Sequence, residues 1–104
     1  MAQLPIRYAG FYDVPLGFLV NREGATFFFE SRFDEMLDEY EDFYTAYRLA
    51  TPIDMTDEDA VTAVWSALPG AAARIGRVMV SEIRFDETRR RFIDDSVFLR
   101  LRDS

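Results

Sequence analysis

The stretch FDEMLDEYEDFY, residues 33–44, sets six carboxylates (Asp34, Glu35, Asp38, Glu39, Glu41 and Asp42) into nine positions and frames them with Phe33, Tyr40, Phe43 and Tyr44. Carboxylates at this density can hold a divalent cation, work as an acid–base pair, or dock a basic surface. Spacing argues against the first. An EF-hand loop needs oxygen ligands at its positions 1, 3 and 5 and glycine at 6. A loop begun at Asp34 has Met36 third and Glu39 sixth; one begun at Asp57 has Asp59 third but Val61 fifth. Asp34, Asp38 and Asp42 would line one side only if the segment were helical. A glycosidase pair needs one carboxyl group of raised pKa facing the other across a cleft, whereas carboxylates crowded into one exposed turn share a solvated environment that leaves their acidities alike. Docking fits best, with charges steering the encounter and rings anchoring it. The expected partner-binding residues are Asp34, Glu35, Asp38, Glu39, Tyr40, Glu41, Asp42 and Tyr44. Phe33 and Phe43, bordering the neighbouring strands, are expected in the core.

Missing residue types narrow the chemistry further. The chain has no cysteine and no histidine, and all twelve of its cations are arginine. Disulfides, thiolate nucleophiles, cysteine-based zinc sites, imidazole bases, lysine Schiff bases and P-loops are thereby excluded. No catalytic residue, metal ligand set or cofactor is assigned. An enzyme of the remaining kind, a carboxylate-dependent hydrolase or metal-dependent enzyme, would have to bring together distant groups such as Asp13, Glu30 and Asp86. The net charge of −7 is concentrated in residues 30–59, where eleven acids face only Arg32 and Arg48. Such a field repels nucleic-acid phosphates and attracts basic surfaces, increasingly so as salt is lowered. A basic protein is therefore the expected partner, and direct nucleic-acid binding is not expected. The alternative is a nucleic-acid mimic, which would spread its carboxylates over a long surface instead of crowding them. The run Thr88-Arg89-Arg90-Arg91-Phe92 could clamp phosphates, but Glu87, Asp94 and Asp95 flank it and offer ionic partners.

These residues must be held by elements the pattern also predicts. A chain of 104 residues with 49% apolar content suits one domain with a modest core. Its longest uncharged stretch, residues 60–73, is short for a bilayer span and is broken by Pro69-Gly70. The leading MAQLPIRYAGFYD lacks the basic and apolar regions of a signal peptide, so a cytoplasmic location is expected. In LGFLVNREGATFFFES, residues 16–31, Asn21 and Gly24 suit a type I turn with a glycine bulge. Pairing Asn21 with Ala25 then sets Leu19 opposite Phe27 on one face and Phe18 opposite Phe28 on the other. Both faces are apolar, so the hairpin must be covered twice, by its own chain or by a second copy in a homo-oligomer. Alternation predicts a strand over 43–49. Thr56 followed by Asp57, Glu58 and Asp59 predicts a capped helix near 57–68, with Val61, Val64, Trp65 and Leu68 on its buried face. A helical turn over 71–75, a strand within 77–85 and a last strand over 97–101 complete the reading. The fold class is α+β: a small single domain with an antiparallel sheet built on the 16–31 hairpin and one main helix.

Tyr12-Asp13-Val14-Pro15, the hairpin, Phe33-Asp34 with the acidic turn ending near Tyr40, and Ile83-Arg84-Phe85-Asp86 with Thr88-Arg89-Arg90 together resemble a group of small uncharacterised bacterial proteins. The resemblance covers most of the chain. It implies a single-domain architecture of bacterial or phage origin, and it implies no activity, cofactor or catalytic residue.

Overall fold

Arg22 and Ala25 pair across a two-residue turn whose residues, Glu23 (φ 52°) and Gly24 (φ 77°), are both left-handed. Left-handed residues at both turn positions match the twist of the flanking strands. The turn therefore closes one residue tighter than the expected bulged loop, and Asn21 pairs with Thr26 instead of Ala25. A one-residue slip changes which face every side chain of one strand shares with the other. Phe18 consequently opposes Phe29, and Leu19 opposes Phe28.

The computed structural model describes residues 3–12, 14–67, 72–83 and 92–102. The strands are β1 (Gln3–Tyr12), β2 (Val14–Arg22), β3 (Ala25–Glu30), β4 (Phe33–Asp34), β5 (Glu39–Tyr40), β6 (Phe43–Leu49), β7 (Ala72–Met79) and β8 (Phe92–Asp94); the helix is α1 (Glu58–Ala67). Six strands form one antiparallel sheet in the order β7-β6-β3-β2-β1-β8, and β4-β5 stands apart as a two-stranded sheet. The architecture is α+β. No helix among the described residues is long and apolar enough to cross a membrane.

Each face of the sheet has its own core. On one, Phe18 and Phe29 stack with centroids 4.8 Å apart among Ile6, Val20, Tyr44 and Val78, and Ile83, Ile93 and Val97 pack over them. On the other, Leu19, Phe28, Tyr47 and Leu49 meet Val61 of α1, with Val64 and Trp65 beside them. The β2–β3 hairpin is thus covered on both faces by segments of its own chain. Three of its four aromatic side chains, Phe18, Phe28 and Phe29, are buried, and Phe27 is half-buried.

Local chemistry explains where elements start and stop. The Asp57 carboxylate accepts from the backbone N–H of Asp59 (3.0 Å) and Ala60 (3.3 Å), so Asp57 is the N-cap. The expected cap, Thr56, instead donates its hydroxyl to Asp54 at 2.6 Å. That bond, with the Thr56 N–H, holds the Asp54 carboxyl below its usual pKa. Arg7 of β1 grips the same region, donating to Met55 O at 2.7 Å and to both Glu58 oxygens at 2.7 and 2.8 Å.

The expected helical turn over 71–75 is strand from Ala72 onward, with Ala71 outside the described residues. Ladder pairing of Leu49, Arg48 and Tyr47 with Ala72, Ala73 and Arg74 satisfies those backbone groups, whereas a lone helical turn must bear the nucleation cost. Ile75 is left over as a bulge between the Ala46–Gly76 and Tyr47–Arg74 pairs. The strand stops at Met79, and Val80–Glu82 forms a 3₁₀ turn. The expected last strand over 97–101 is also absent: Asp95–Leu99 is a 3₁₀ helix, begun where Asp94 accepts from Ser96 N–H at 2.9 Å. Leu68, the Pro69-Gly70 break, Phe85 and the Thr88–Arg91 part of the basic run lie outside the described residues.

Candidate functional site

The acidic stretch is a hairpin. Phe33 pairs with Tyr40 and Asp34 with Glu39. Asp34 closes the turn, its carboxylate accepting from the N–H groups of Met36 (2.9 Å) and Leu37 (3.3 Å), and Asp38 takes the left-handed conformation that lets the chain reverse (φ 55°). The root is pinned by Glu41 N–H to Arg32 O (2.8 Å), Arg32 N–H to the Glu41 carboxylate (3.0 Å) and the Ser31 hydroxyl to Glu41 O (2.8 Å). Two acids, Asp34 and Glu41, therefore hold the backbone. Because the segment reverses instead of coiling, Asp34, Asp38 and Asp42 do not align as they would on a helix.

The rings divide differently from the sequence expectation. Tyr44 is 0% exposed and meets Phe18 edge-on at 5.2 Å, so it belongs to the core and offers no docking surface. Phe33, expected inside, is 47% exposed and meets Tyr40 edge-on at 5.2 Å. Phe43 is half-buried opposite Met79, with the Arg77 guanidinium over its ring. The cause is the two-residue period of β6, which turns Tyr44 and Ala46 toward one core and passes Phe43 to the sheet's margin.

At the tip stand two residues that the charge pattern hid. Met36 is 95% exposed and Leu37 66% exposed, and with Phe33 and Tyr40 they make the hairpin apolar as well as acidic. Their signal in the sequence was a pair of large apolar residues inside an acidic run with neither helical nor strand periodicity. Glu35, Asp38, Glu39 and Asp42 are exposed and make no ion pair among the described residues.

Two grooves flank the root, both reaching Leu16 and Ser31. One, of about 430 Å³, is walled by Phe28, Phe33 and Trp65 and floored by Gly17. Trp65 is half-buried and meets Phe28 edge-on at 5.1 Å, so it serves both core and groove. Arg32 at this rim donates to Glu30 at 2.6 Å and to the Tyr47 hydroxyl at 3.2 Å. The Glu30 bond chiefly, then the Tyr47 oxygen, raises the guanidinium's pKa further. The other groove, of about 520 Å³, runs between Glu39, Tyr40, Glu41 and Asp42 on one side and Met79, Val80 and Ser81 on the other.

Of the three distant carboxylates weighed for catalysis, Glu30 is engaged with Arg32, and Asp13 and Asp86 lie outside the described residues. No cluster of three or more carboxylates suited to a metal ion occurs among the described residues. Compared with models of protein families, with curated proteins and with solved structures, the chain matches none.

Proposed function

We propose that this protein is a non-catalytic interaction module that uses the β4–β5 hairpin to hold a more basic protein. One observation carries the reading: of seven large apolar side chains exposed among the described residues, four (Phe33, Met36, Leu37 and Tyr40) fall within eight positions of this hairpin. A concentration of exposed apolar surface marks a contact site, and the four exposed carboxylates around it, Glu35, Asp38, Glu39 and Asp42, supply steering and register. The matching surface on the partner is an apolar depression rimmed by arginine or lysine, filled by Met36 and Leu37. The β2–β3 hairpin is already covered by its own chain, which favours contact at β4–β5. A nucleic-acid mimic would need its carboxylates spread along a groove's length, and here they gather in one short hairpin, so protein docking is preferred.

The test is affinity capture from the native cells at low salt with three baits: wild type, Met36→Ser with Leu37→Ser, and the amide variant Glu35→Gln, Asp38→Asn, Glu39→Gln, Asp42→Asn. Wild type is expected to recover a basic protein that the tip variant loses and that the amide variant binds more slowly. Equal recovery by all three baits would sink the reading.

A further inference from the structure

A second charged cluster, of opposite sign, lies where β7 meets the segment around Arg102. Arg77 and Arg102 face one another as an antiparallel bridge, each N–H donating to the other's carbonyl at 2.9 Å. Directly opposed residues of such a pair project to the same side, and like charges there repel. Glu82 supplies one carboxylate for two guanidiniums: its Oε2 lies 3.3 Å from Arg102 Nη2 and 3.8 Å from Arg100 Nη1. Its Oε1 accepts from Met79 N–H at 3.3 Å, which fixes the carboxylate against the 3₁₀ turn. Arg77 makes no ion pair among the described residues, and its Cζ rests 4.8 Å from the Phe43 ring centroid. Arg77, Glu82 and Arg102, with Val78 and Met79, line a cleft of about 130 Å³. At ~30 Å³ per water that is room for roughly four waters.

We propose that this cleft binds a phosphate dianion, either free or as a small monoester. Arg77 and Arg102 line the cleft against the single carboxylate of Glu82, and Arg100 lies 3.8 Å from that carboxylate, so the lining carries a net positive charge that an anion offsets. Guanidinium forks present paired N–H donors to phosphate oxygens, and a guanidinium resting on an aromatic face has less freedom to lose on binding. The opposing of Arg77 and Arg102, unfavourable for folding alone, then has a use. Gly76 keeps Arg102 in place: a Cβ there would lie 2.8 Å from Arg102 O, so only glycine lets the two backbones approach. The protein's overall negative charge does not forbid the site, because at physiological salt fields are screened beyond about 8 Å and the adjacent cations dominate within the cleft.

The experiment is a ¹⁵N-resolved NMR titration of the whole protein with inorganic phosphate, and separately with glycerol phosphate, at ionic strength held constant with sodium chloride. Saturable shifts of the Arg77, Glu82 and Arg102 amides are expected, with tighter binding of glycerol phosphate identifying a monoester and equal binding identifying phosphate itself. Arg77→Gln and Arg102→Gln should each weaken binding roughly tenfold. Arg48→Gln, on β6 opposite Ala73, should not. Urea unfolding of each variant separates lost binding from lost folding, and Arg77→Lys, which retains the charge, should recover part of the affinity. Shifts that never saturate, that chloride reproduces, or that persist unchanged in both glutamine variants would overturn the assignment.

Discussion

Tyr40 and Tyr44 sit four residues apart in the same acidic stretch, and replacing each with alanine should have opposite consequences. Tyr44 is wholly buried, with its ring edge-on to Phe18 at 5.2 Å. Removing a fully enclosed ring leaves a cavity, and large aromatic-to-alanine changes in cores cost about 3–5 kcal/mol, including ~0.5–1.5 kcal/mol for the lost ring pair. Against a total stability on the order of 5–15 kcal/mol, that is a large share. With a urea slope of about 1.5 kcal/mol per molar, a loss of ~4 kcal/mol moves the unfolding midpoint down by roughly 2.5 M. Tyr40 is 37% exposed and meets the still more accessible Phe33, 47% exposed, edge-on. Its removal should cost no more than about 1 kcal/mol, a midpoint shift below ~0.7 M. Urea unfolding followed by tryptophan fluorescence measures both, Trp65 being the chain's single tryptophan. A Tyr44→Ala midpoint within ~0.7 M of wild type, or a larger loss from Tyr40→Ala, would refute the division of rings between core and hairpin.

Gly76→Ala should destabilise by about 2–4 kcal/mol, because a φ of 150° disfavours any side chain and the new methyl would push away Arg102 and its two bridge hydrogen bonds; calorimetry would show the loss, and an unchanged melting temperature would contradict it. Asp57→Ala should cost ~1 kcal/mol through the lost cap while Thr56→Ala costs less, and chemical denaturation showing the reverse order would return the cap to Thr56. The Asp54 carboxyl is held below its ordinary pKa by Thr56, so its contribution is complete above the unfolded value of about 3.9 and disappears as pH falls through the lower folded value. Asp54→Asn should therefore melt below wild type at neutral pH and converge on it in acid; a gap that stays constant in acid would disprove the linkage.

Much of the scaffold was legible in the sequence because local forces dictate it. The alternation at 43–49 makes a strand in any antiparallel setting, and three acids ahead of Val61, Val64 and Trp65 make a helix start whichever of them caps it. Charge is read directly from composition, so the acidity of residues 33–42 needed no structure. Pairing and enclosure were the tertiary structure's to decide. A choice between two-residue and three-residue turns at Asn21–Gly24 changes local energy little, yet it decides whether Phe18 shares a face with Phe29 or with Phe28, and the stacking of Phe18 on Phe29 joins that decision to the core. Residues 72–75 became strand because β6 presented unpaired backbone, and residues 95–99 became 3₁₀ helix because Asp94 capped a turn that carries Val97 over the sheet. In the acidic stretch the residue types announced a polar surface, but that Tyr44 left it for the core depended on the phase of β6, and that phase is set by neighbours distant in sequence. Residue type sets the strength and sign of an interaction; which groups stand close enough for it to act is determined only when distant strands meet.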